Sequence, residues 1–103
     1  MDSSRGIGLV LRRLHEELPN RPLLVCEHGV GTDDEWRVDI LRESLATVSE
    51  AVDDGVDVRG FFHWTGVDNY EWNHGFTVPF GAFTRDREPR DSAVLLRDHA
   101  TPR

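Results

Sequence analysis

Only two stretches of this 103-residue chain read as β-strands, and one helix joins them. That sparse strand content limits what the chain can fold into more than any other feature. Pro22-Leu23-Leu24-Val25-Cys26 is a short uninterrupted apolar run that follows the breaker Pro19-Asn20 and ends at Glu27. Continuous apolarity between breakers suits a strand buried on both faces, as in parallel sheets. Gly29 and Gly31 turn the chain, and Thr32-Asp33-Asp34-Glu35 reads as a capping box with Thr32 as the cap. The helix that follows is expected to bury Trp36, Ile40, Leu41, Leu45, Val48 and Val52. Asp53-Asp54-Gly55 closes it, with Gly55 as the left-handed cap. Val56 to Trp64 is the second strand.

Helices flank this unit. Ile7, Val10, Leu11, Leu14 and Leu18 stand at helical spacing over residues 6–18, and Ala93, Val94, Leu96 and Ala100 suggest a closing helix over 91–100. A strand–helix–strand crossover of this kind is almost always parallel and right-handed. Two parallel strands do not make a stable sheet, because both edges stay bare and such sheets are normally covered on both faces. The α/β pattern therefore reads as part of something larger. A complete (β/α)8 barrel needs about 250 residues, and this chain supplies about a quarter of its strands.

Composition narrows the function classes. All 12 basic residues are arginine, and 19 carboxylates leave a net charge of -7. The arginines are scattered, so a polyanion is repelled on average; neither nucleic acid nor an anionic membrane is an expected partner. No apolar run approaches the roughly 20 residues that a bilayer requires. Met1-Asp2-Ser3-Ser4-Arg5-Gly6 lacks the basic-then-apolar layout of a secretory leader. The single Cys26 excludes an intramolecular disulfide and reads as a small buried apolar residue at a strand end. A cytoplasmic chain of one domain over residues 1–103 is the expectation.

Chemistry gathers at the carboxyl ends of the two strands, where parallel α/β architecture builds its active sites. Glu27 ends the first strand and Trp64 the second. Glu27 reads either as a carboxylate that pairs with an arginine or as a buried carboxylate tuned for catalysis. The stretch Phe61 to Gly75 interleaves Trp64, Tyr70 and Trp72 with Asp68, Asn69, Glu71, Asn73 and His74. Such a loop can plug the end of a core. It also suits a sugar, whose C–H face stacks on indole while carboxylates and amides take its hydroxyls. Glu71 and His74 share the i, i+3 spacing of di-iron carboxylate bundles, but those need two such motifs, and no zinc spacing is present. No metal and no cofactor is expected.

With these residues in view, the sequence resembles a known family. Pro22-Leu-Leu-Val-Cys-Glu-His-Gly29, Asp54-Gly-Val-Asp-Val-Arg-Gly-Phe-Phe-His-Trp64 and Asp68-Asn-Tyr-Glu-Trp72 look like the carboxyl-terminal part of glycoside hydrolase family 1. Phe80-Gly81 and Pro89-Arg-Asp-Ser92 fall where that family has similar segments. The resemblance covers nearly the whole chain. It implies the end of a (β/α)8 barrel: helix 6, strand 7, helix 7, strand 8 and helix 8. It also implies a retaining β-glycosidase, β-glucosidase-like, that hydrolyses O-glycosyl bonds.

By that resemblance Glu27 stands where the catalytic nucleophile stands. Trp64 would be the platform under the glycone, Glu71 would accept hydroxyls at its far edge, Trp72 would flank it and Phe80 would line the pocket. Cys26 and His28 depart from the family's usual Thr or Ser before the nucleophile and Asn after it. The family's acid/base carboxylate lies in an Asn-Glu-Pro motif, which does not occur here. Nucleophile and glycone residues without that acid imply a chain inactive alone, acting on a β-glycoside with a missing amino-terminal barrel portion as partner. The alternative is a non-catalytic sugar-binding or self-associating remnant.

Overall fold

The computed structural model describes residues 5–100; residues 1–4, from the stretch read for a leader, and residues 101–103 lie outside the described residues. The elements run in the order α1 (Gly6–Glu17), β1 (Leu23–His28), α2 (Asp34–Asp53), β2 (Val58–His63) and α3 (Asp91–Ala100). A three-residue 3-10 turn, Trp72–His74, interrupts the long loop before α3. β1 and β2 pair in parallel as a two-stranded sheet, which is the crossover expected from the pattern.

The helices cover one face of that sheet. Leu11 of α1, Val25 of β1, Val48 and Ala51 of α2, and Val56 form the buried cluster, with Ile7, Leu23, Val58 and Phe61 packed against it. Gly8 lets α1 lie close on α2, since a Cβ there would sit 2.0 Å from Thr47 Oγ1. Gly55 takes φ 97° just after α2, a left-handed conformation that suits glycine at a helix end. Among the described residues no helix is long and apolar enough to cross a membrane.

Three expectations are corrected. The cap of α2 is Asp33, whose carboxylate accepts the Trp36 N–H at 3.1 Å, and not Thr32. Asp33 has the extended backbone of a cap and Thr32 lies one residue too early, its carbonyl engaged by Arg37 at 2.7 Å. The buried stripe of α2 runs through Arg37, Leu41, Ser44, Leu45 and Val48, while Trp36 and Val52 are exposed. Rotating the stripe by one position puts a polar fork, rather than an indole, under the loops. β1 is buried on one face only: Val25 is in the core, whereas Leu24 and Cys26 are exposed. The helices lie on one side of the sheet, and nothing among the described residues covers the other.

Candidate active site

Glu27 owes its orientation to an irregularity of β1. Val25 pairs with Phe61 and His28 with His63, so three steps along β1 match two along β2. The extra residue is a bulge, which leaves part of the strand unpaired and re-aims its side chains. Cys26 and Glu27, consecutive in sequence, are both exposed at this end of the sheet.

The carboxyl end of β2 lies beside it. The Trp64 N–H donates to the His28 carbonyl at 2.8 Å, extending the pairing by one residue. Gly29 makes this approach feasible: a Cβ there would stand 1.9 Å from the Trp64 carbonyl oxygen. A cis peptide bond joins Trp64 to Thr65. Beyond it, Thr65 N–H donates to the Phe80 carbonyl at 3.1 Å and Ala82 N–H to the Thr65 carbonyl at 2.9 Å. The ring of Phe80 reaches back to the loop after β1, where a Cβ on Gly31 would lie 2.8 Å from its Cε2 and Cζ. Glu27, Trp64 and Phe80 are thus brought to one end of the sheet by backbone pairing.

Glu71 and Trp72 belong to the excursion between Asn69 and Thr77. It is held by Glu71 N–H to the Gly75 carbonyl and His74 N–H to the Glu71 carbonyl, each at 2.7 Å. Glu71 is half-buried with Oε1 shielded, and Trp72 is 87% exposed. Tyr70 meets Phe76 edge-on at 5.6 Å, and the Arg85 guanidinium caps the Phe76 ring at 3.9 Å. These contacts hold the excursion in shape and leave its indole exposed. Glu71 and His74 border a single short turn rather than a helix, so the i, i+3 pattern of a bundle site does not arise.

Two ion pairs near the site were not foreseen from the sequence, which offered Asp68 as an acceptor for sugar hydroxyls and Asp34 as part of a capping box. Asp68 and Arg90 form a bidentate pair at 2.8 Å, and Gly81 N–H donates to Asp68 Oδ1 at 2.7 Å. The Arg90 hydrogen bond holds the Asp68 carboxyl below the usual range against the opposing effect of burial. Arg37 and Asp34 form the second set, with Asp34 also accepting the N–H and hydroxyl of Ser92 at the start of α3. Burial pushes the Asp34 carboxyl up, but the Ser92 and Arg37 hydrogen bonds outweigh it and the net shift is down. The signals available in the sequence were the family-like segments that hold Asp68 and Arg90; the pairing of their side chains was not legible in either segment alone.

An α/β segment of a (β/α)8 barrel, with Glu27 and Trp64 near the ends of its two paired strands, is the class that this fold and site define. The family model for Glycosyl hydrolase family 1 matches residues 1–101, and the chain belongs to that family. It is 34% identical over 106 residues to Beta-glucosidase 42 of Arabidopsis thaliana, covering 85% of this chain and 22% of that protein. It is 39% identical over 95 residues to the bifunctional beta-D-glucosidase/beta-D-fucosidase of Bifidobacterium breve, covering 79% of this chain and 21% of that one. The beta-glycosidase from Pyrococcus horikoshii superposes with a TM-score of 0.79 at 35% identity, over 99% of this chain and 28% of that chain. The chain therefore spans about a fifth of the length of the curated relatives it matches.

Proposed function

We propose that this chain forms the carboxyl-terminal part of the catalytic barrel of a retaining β-glycosidase, β-glucosidase-like in its glycone. In that barrel α1 is helix 6, β1 strand 7, α2 helix 7, β2 strand 8 and α3 helix 8. Glu27 is the nucleophile: its carboxylate attacks the anomeric carbon, the glycosidic C–O bond breaks, and a glycosyl ester forms. Trp64 lies under the sugar ring, Glu71 accepts its hydroxyls, and Trp72 and Phe80 close the pocket. The observation that supports this reading is the bulge of β1, with Glu27 exposed at the strand end that pairs, through the His28 carbonyl, with the backbone of Trp64. The β-glucosidases among its relatives support the same reaction class.

Retention also needs a second carboxyl group about 5 Å from the nucleophile to protonate the leaving group. No Asn-Glu-Pro occurs in these 103 residues, so turnover of ordinary glycosides requires further barrel strands. That deficit favours the second reading, in which the chain alone binds sugar without turning it over.

A 2-deoxy-2-fluoro-β-glucoside with a dinitrophenolate leaving group separates the two, because that group departs without a general acid. Intact-mass measurement is expected to find one fluoroglucosyl adduct per chain, lost in Glu27→Gln. An adduct that persists in Glu27→Gln removes Glu27 from its role. A folded chain that takes up no adduct leaves only the binding reading.

A further inference from the structure

Arg37 is fully buried, and burying an arginine is costly unless its donors are satisfied. Its guanidinium pairs through Nη1 with Asp34 Oδ1 at 2.9 Å, while Nε has no hydrogen-bond partner among the described residues. It also donates to the carbonyls of Thr32 at 2.7 Å, Gly81 at 3.4 Å, Val30 at 3.5 Å and Pro79. These four carbonyls fall into two pairs: Val30 and Thr32 flank Gly31, while Pro79 and Gly81 flank Phe80. Gly31 and Phe80 are themselves in contact, as the 2.8 Å approach of a Gly31 Cβ to the ring requires. The Phe80 carbonyl in turn holds the N–H of Thr65, the residue after Trp64.

We propose that Arg37 is a positioning residue of the sugar pocket. Its planar fork, by holding the carbonyls on both sides of Gly31 and of Phe80, sets the Phe80 ring and Trp64 relative to Glu27. The proposal rests on the reading of Glu27, Trp64 and Phe80 as a glycone site. Folding of α2 alone does not call for this residue, since Leu41, Leu45 and Val48 already fill its buried stripe. A guanidinium reaches carbonyls of two loops at once, whereas an ammonium is a point charge on a flexible stem and cannot hold both.

Three variants of the full chain test this. Arg37→Lys keeps a positive charge for Asp34 and removes the fork. Gly31→Ala keeps Arg37 and drives a methyl group into the Phe80 ring. Val48→Ala lowers stability from the core, away from both loops. Labelling of Glu27 by the fluoroglucoside is followed by intact mass over a range of probe concentrations. Arg37→Lys and Gly31→Ala are expected to raise the half-saturating concentration by about a hundredfold, with a smaller change in the limiting rate. Val48→Ala is expected to alter neither. A purely structural role would reduce only the labelled amplitude, in step with the folded fraction, and that result overturns the proposal.

Amide hydrogen exchange keeps the outcome separate from the pocket reading. Arg37→Lys should speed exchange at Thr65 and Ala82 while leaving α1 unchanged. Unaltered exchange at those amides overturns the clamp even where the parent chain is labelled. If the parent chain is never labelled, the reading of Glu27 as nucleophile fails, and exchange alone decides whether Arg37 holds the loops.

Discussion

At the residue scale, the loops around the site are held by charged groups used as backbone ties. Arg90 bonds both oxygens of Asp68 and also the Gly81 carbonyl at 2.7 Å, while Gly81 N–H returns to Asp68. Both side chains are mostly buried, so solvent screens the pair weakly. Arg90→Met leaves the Asp68 carboxylate without its partner and should cost about 2–3 kcal/mol in urea unfolding. The pH dependence gives the sign. A carboxyl whose folded value is depressed contributes stability above the unfolded carboxylate range and loses it as pH falls through the folded value. Arg90→Met should therefore flatten the acid limb of the stability profile; an unchanged limb would mean that Asp68 titrates normally in the fold. This scale was the least legible in the sequence. Helical periodicity marks an apolar face to within about one position, and here the error exchanged Trp36 for Arg37. Which side chain faces the loops depends on where the carbonyls of residues 79–81 fall, and those arrive from far along the chain.

At the element scale, the sheet end combines the bulge of β1 with a half-buried histidine pair. His28 and His63 are register partners, and His28 lies 5.3 Å from the Phe61 ring. Burial pushes both imidazoles down, and for His63 the Arg37 and His28 charges add to the effect while Asp34 opposes it. A group with a lowered folded value binds fewer protons folded than unfolded near its ordinary range, so stability is full above that range and falls with pH. Thermal unfolding temperature is expected to drop between about pH 7 and about pH 5, and His63→Gln should reduce that drop. An identical drop in His63→Gln would assign it to other groups. The elements themselves were legible, because α1, β1, α2, β2 and α3 each carry their own breakers and periodicity. The bulge was not, since a register shift is a relation between two strands and leaves no mark in either one alone.

At the scale of the whole molecule, a two-stranded parallel sheet covered on one face leaves apolar surface in the open. Leu24 is 57% exposed and Phe62 59%, and α1 adds Leu9 and Val10. Exposed apolar area beside unpaired strand edges drives association. The isolated chain should sediment as more than a monomer with rising concentration, and Phe62→Glu should shift it towards monomer. A parent chain that stays monomeric throughout would mean that the bare face needs no cover. The sequence by itself determined the element order, the parallel pairing of the two strands and the family. Those follow from local periodicity, breakers and motif residues that lie close together in the chain. Only the tertiary structure decided that Cys26 and Leu24 face outward, that Asp33 caps α2, and that Arg37 and Arg90 tie the loops. Each of those depends on which groups distant in sequence meet in space, and burial and hydrogen bonding are set by that meeting.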